Sequence, residues 1–166
     1  MNILPTNVFN KNKVESRKLI SPIEDAISSG KINPLQSTYT NSVKLTNSFE
    51  PIYVYRKVNT PFSEKSFYCQ VQRHYDPDDF FELDDTELCN LDNYACSFST
   101  DIEDLRNRIF RKRAKSFSKR LMKVSEGYLS SDLGWKYVKY IDPTHIMLFA
   151  YADTEFLTIF SSPKEV

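Results

Sequence analysis

An α+β fold is what this sequence predicts: a mostly antiparallel sheet of four or five strands with one long basic amphipathic helix, about 101–126, packed on it. Three observations carry that expectation. Runs of Val, Ile, Tyr and Phe with strand character lie on both sides of one helix-patterned segment. The links between the last runs are too short for parallel returns, which need a crossover of about a dozen residues. A chain of 166 residues suits a single core. With 12 Phe and 10 Tyr, and hydrophobic residues at 40%, that core is expected to be aromatic.

Residues 1–48 are rich in Asn, Ser, Thr and Lys, without a sustained apolar period, and read as a polar N-terminal arm ahead of a single domain at 49–166. One short helix, about 22–29, interrupts the arm. Ser21 suits its N-cap, Pro22 its first position, Glu24 the capping-box acceptor and Gly30 its left-handed stop. Leu19 and Ile20 beside it suit docking on the core or on a partner. From Phe49 the pattern turns to β, with strands expected at 50–58 and 66–75, the first carrying Ile52 and Val54, the second Phe67, Cys69 and Val71.

Asp76-Pro77 ends that second run and opens the most distinctive stretch of the chain. From Asp76 to Asp104 there are 11 acidic residues and no basic one, while 105–123 holds 9 basic residues and no acidic one. The basic half reads as the long helix. Thr100 and Glu103 make a T-x-x-E capping box, Ile102, Leu105, Ile109, Phe117, Leu121 and Val124 recur at helical spacing, and Gly127 suits the stop. Three further strand-like runs follow at Trp135–Ile141, His145–Tyr151 and Glu155–Phe160, an antiparallel meander whose continuously apolar middle run reads as the central strand.

Function is read first from absences. Only Gly30, Gly127 and Gly134 occur, each alone, so no phosphate-cradling glycine loop can be assembled. G-x-S-x-G and H-E-x-x-H are missing, and His74 and His145 are the sole histidines. The expectation is no enzyme, no cofactor and no metal. Cys69, His74, Cys89 and Cys96 are zinc-ligand types, but four residues separate the first pair and six the last, unlike a C-x2-C knuckle. Three cysteines in a chain of this size suit free thiols in a cytoplasmic setting, and no apolar run reaches membrane-spanning length or forms a secretory h-region.

Two charged stretches remain as candidate sites. Asp78, Asp79, Phe80, Phe81, Glu82, Asp84 and Asp85 set apolar anchors among carboxylates, the chemistry of docking on a basic protein surface. Arg108, Arg111, Lys112, Lys115 and Lys119 make a ridge of cations suited to an acidic partner or to the phosphates of a nucleic acid. With 22 acidic and 22 basic residues, the two stretches can also neutralise one another. The reading this supports is a non-enzymatic macromolecular interaction protein with a protein partner and no membrane partner. A nucleic-acid binder using 106–123 and a virion or assembly component using the arm are the alternatives. The Asn, Lys, Ser, Tyr and Phe bias fits an AT-rich coding source, such as a viral, phage or mobile-element accessory factor acting inside a host cell.

Overall fold

The computed structural model describes residues 17–33, 45–110, 121–139 and 142–166. Among them, six strands form one antiparallel sheet: β1 Ile52–Lys57, β2 Cys96–Ser99, β3 Lys123–Leu129, β4 Gly134–Lys139, β5 Asp142–Ala150 and β6 Lys164–Glu165. Four α-helices accompany them: α1 Ser21–Ser28, α2 Gln70–Tyr75, α3 Asp85–Leu88 and α4 Ile102–Phe110. The α+β class is as expected, with six strands in place of four or five. Their order is β4-β5-β2-β1-β3-β6, so the apolar run of β5 is an interior strand paired on both sides.

Alternation along the strands sorts the core into layers. Trp135, Tyr137, Met147 and Phe149 fall on one face, where α1, Val71 and Tyr94 cover them. Val54, Cys96, Phe98, Ile146 and Leu148 fall on the opposite face under Phe67, Phe156 and Phe160. This second layer is the aromatic core the composition predicts. Phe67 stacks on Phe156 with centroids 4.8 Å apart, and Phe98 on Phe160 at 5.4 Å. Phe98 and Phe149 are fully buried, which stabilises the fold by about 3 kcal/mol each on area grounds.

The short helix of the arm sits on the core. Ile23, Ala26 and Ile27 are buried, Ile20 N–H donates to the Ala150 carbonyl at 3.1 Å, and Leu19 bridges to Tyr151. Pro22 and Gly30, with φ of 75°, stand where expected, but the N-cap is Ile20 and Glu24 instead accepts from Leu19 N–H at 3.0 Å.

Four expectations are corrected. The strand placed at 66–75 is a 3-10 turn, Glu64–Phe67, followed by α2. Phe67 and Val71 stand four apart, so their spacing fits a helix as well as a strand, and Ser63 and Gln72 side chains cap the two turns. The run Glu155–Phe160 is likewise a 3-10 turn, Phe156–Thr158, because the Glu64 carboxylate accepts from Phe156 and Leu157 N–H at 3.2 and 2.9 Å. The helix expected over 101–126 is described only as the nine residues of α4, capped by Asp101 and not Thr100, with Asp101 Oδ1 accepting from Glu103 and Asp104 N–H. Its expected end belongs to β3. There Gly127 opposes Val54, and a Cβ on it would stand 2.8 Å from the Ile159 carbonyl, so it is a close-approach glycine and not a helix stop. Ile102, Leu105 and Ile109 do form the apolar stripe of α4, packed on Tyr55, Met122 and Val124. Finally, β2 lies inside the acidic stretch, where no strand was expected.

Candidate functional site

The acidic segment begins as an extended loop between α2 and α3. Asp79 Oδ2 pairs with Arg73 Nε at 3.0 Å while its Oδ1 accepts from Phe81 N–H at 3.1 Å. Arg73 also lies over the Phe81 ring, 4.2 Å from its centroid, and Phe81 packs against the core. Residues 79 and 81 are thereby turned inward, and the residue between them is turned out: Phe80 is 95% exposed. Asp78, Glu82, Asp84 and Asp85 around it are also exposed. The seven acidic-segment candidates therefore divide into two anchors, Asp79 and Phe81, and a presenting set built on Phe80.

Of the five basic candidates only Arg108 lies among the described residues. Arg108 pairs with Asp142 at 3.6 Å, with its Nε and Nη2 atoms buried and making no hydrogen bond. Arg111, Lys112, Lys115 and Lys119 lie outside the described residues. Within α4, Glu103 of the acidic segment pairs with Arg106 at 3.6 Å, and other acids of the segment find cations elsewhere. Lys65 pairs with Asp76 at 2.8 Å, Arg73 with Asp79, and Lys139 with Asp92. Lys65 holds the Asp76 carboxyl below the usual range through that hydrogen bond.

Behind Arg73 the sheet opens into a polar cleft of about 480 Å³. β1 and β2 meet only at Tyr55 and Ser99, and the Arg56 guanidinium fills the gap where they part. It donates to the carbonyls of Ser66 at 2.9 Å, Ser97 at 2.7 Å and Tyr68 at 3.0 Å. On the cleft floor Ser97 Oγ and His145 Nε2 are 2.5 Å apart, brought together by the pairing of β2 with β5. Lys139 and Tyr137 both donate to the Asp92 carboxylate at one wall. Burial pushes the His145 ring down to about 4, helped by the nearby charges of Arg108 and Lys139, so the ring is neutral at pH 7.

The side chain that the structure sets against His145 is the Ser97 hydroxyl. Burial raises the Cys69 thiol to about 12 and also raises Cys96, whose Sγ donates to the Phe67 carbonyl at 3.1 Å, so neither is a thiolate. Ser97 and His145 have the contact of a nucleophile and its base, yet the ring's depressed basicity works against that role. Of the other zinc-type residues, Cys89 is exposed and His74 Nδ1 accepts from Leu83 N–H at 3.1 Å. Among the described residues, no three His, Cys, Asp or Glu side chains gather as a metal-binding set, and no helix is long and apolar enough to cross a membrane. Nothing in the sequence pointed to Arg56 or Ser97, because their role comes from a gap between strands that are distant in the chain. In comparisons with protein-family models, curated proteins and solved structures, the chain matches none.

Proposed function

We propose that this protein is a non-enzymatic interaction module that docks on a basic surface of a partner protein through Phe80 and the carboxylates around it. The carrying observation is a phenylalanine almost wholly in water, held out by two anchored neighbours and ringed by Asp78, Glu82, Asp84 and Asp85. Exposing a Phe costs about 2–3 kcal/mol of burial relative to a site inside the protein, and the loop geometry enforces that exposure. An aromatic anchor supplies affinity when an apolar socket desolvates it, while surrounding carboxylates speed the encounter with a cationic rim. The nucleic-acid alternative rests on cations of which Arg108 is turned to Asp142 and the rest lie outside the described residues.

A photo-crosslinking side chain at position 80, introduced into the full chain, tests the reading. A crosslinked protein, once purified, is expected to bind the wild-type chain and to lose at least about thirtyfold in affinity on Phe80→Ala, the 2 kcal/mol of a hot spot. Asp84→Lys with Asp85→Lys is expected to slow association. Absence of a specific crosslink, or a purified partner indifferent to Phe80→Ala, overturns the proposal. Salt-sensitive anisotropy of labelled oligonucleotides between about 50 and 200 mM salt would favour the nucleic-acid reading instead.

A further inference from the structure

The cleft behind Arg73 holds more positive charge than its own carboxylates offset. Among the described residues, Arg56, Arg73 and Lys139 line it against Asp92 alone, and His145 adds no charge at neutral pH. That is an excess of two, or of one if Asp79, which pairs with Arg73 from outside the lining, is counted. Arg56 is the informative member. It is half-buried, it pairs with no carboxylate among the described residues, and its three hydrogen bonds all go to carbonyl oxygens. A guanidinium has five N–H donors, so two remain for a ligand. Arg56 and Arg73 also line an adjoining hollow of about 550 Å³ beside Lys57 and Lys65, where Asp78 and Asp79 offset part of the charge.

A half-buried cation in a surrounding of partial negative charges from carbonyls alone is incompletely neutralised, so an entering anion gains from Arg56 without competing against a resident carboxylate, while it shares Arg73 with Asp79 and Lys139 with Asp92. We propose that this cleft binds a small phosphate monoester, its phosphoryl oxygens held between Arg56, Arg73 and Lys139, with the Ser97 hydroxyl as an additional partner. A phosphate monoester carries roughly −1.5 to −2 at neutral pH, comparable with the excess of two that the lining itself carries, and presents three acceptor oxygens to donors that come from several directions. A monocarboxylate offers two oxygens and less charge. The volume lies within the range of small-molecule sites and admits the organic part of a mononucleotide or sugar phosphate. This differs from phosphate binding by a glycine loop, because side-chain guanidinium groups, not backbone N–H groups, supply the donors.

The test is calorimetric titration of the full chain with inorganic phosphate, with AMP and with succinate, accompanied by NMR of the histidine rings, assigned with His74→Gln. Phosphate and AMP are expected to saturate the site, with succinate at least about tenfold weaker. A bound dianion should raise the His145 ring toward its ordinary value, so its resonance should move with AMP at neutral pH while that of His74 stays. Arg73→Gln should weaken AMP at least about tenfold, and Ser97→Ala, which leaves every cation in place, should weaken it a few-fold. The proposal is overturned by no saturation at millimolar ligand, by succinate binding as tightly as AMP, or by wild-type affinity in Arg73→Gln and Ser97→Ala together.

Discussion

Replacing Arg56 with methionine tests how the sheet is held where β1 and β2 part. The substitution keeps an unbranched side chain of similar reach but removes three donors, leaving the carbonyls of Ser66, Tyr68 and Ser97 without their partner. Hydrogen bonds to a charged group contribute about 1.5–3 kcal/mol each, and the half-buried site lets water replace part of that, so about 1 kcal/mol per bond is the working figure. The contact of the guanidinium with the Phe98 ring, 5.7 Å from its centroid, adds a few tenths. Arg56→Met should therefore destabilise the protein by about 3 kcal/mol. With a urea slope of about 2 kcal/mol per molar, the unfolding midpoint falls by about 1.5 M. Fluorescence of the single tryptophan, Trp135, buried in the sheet, reads the transition. Arg56→Lys, able to reach one carbonyl at a time, should lose about 2 kcal/mol, while exposed Lys57→Met should change little. If Arg56→Met costs less than about 1 kcal/mol, or Arg56→Lys matches wild type, the guanidinium does not join these strands and the reasoning fails.

Gly134→Ala should destabilise by about 2–4 kcal/mol, since Gly134 has φ of 157° and a Cβ there would stand 2.1 Å from the Phe149 carbonyl oxygen; wild-type urea unfolding would refute the clash. His145 should make stability rise with pH: its folded value near 4 lies below the unfolded value of about 6.5, so the unfolded chain binds the extra proton in that window and stability is lost as pH falls through it. Allowing for solvent at the half-buried ring, the loss between pH 7 and 4.5 is about 1–2 kcal/mol, and His145→Gln should flatten the slope; an unchanged slope would assign the pH dependence elsewhere. Phe80→Ala should leave the unfolding free energy within about 0.5 kcal/mol of wild type, because the ring is in water in the free protein; a large loss would mean the ring packs in solution.

What was legible in the sequence and what was not follows from the range of the forces involved. The strands β1, β4 and β5 and the helix α1 were readable because each is carried by its own residues, through β-branched and aromatic runs, the continuous apolar run of β5, Pro22 at the helix start or Gly30 at its end. The errors at 66–75 and 155–160 share a cause: apolar residues four apart satisfy both a short helix and a strand, and the deciding groups, the Gln72 side chain and the Glu64 carboxylate, act by capping contacts that periodicity does not report. β2 was hidden although Tyr94, Cys96 and Phe98 alternate with smaller residues, because the surrounding acids dominated the pattern.

Charge behaved differently from hydropathy. Two adjoining blocks of opposite sign suggested mutual neutralisation, yet among the described residues they meet in one ion pair, Glu103 with Arg106 inside α4, while other acids of the first block reach Lys65, Arg73 and Lys139, and Arg108 of the second reaches Asp142. An ion pair needs its partners within about 4 Å, and chain neighbours on divergent elements are farther apart than residues on paired strands. The Phe80 surface was therefore partly readable, since its anchor and its carboxylates are contiguous in the chain. The cleft was not, because Arg56, Arg73, Asp92, Ser97, Lys139 and His145 come from segments that only the sheet order brings together. The same distinction orders the experiments. Phe80→Ala removes a feature that the free fold does not use, so a binding loss there reports on the partner alone, whereas every cleft substitution must first be shown to keep the sheet intact.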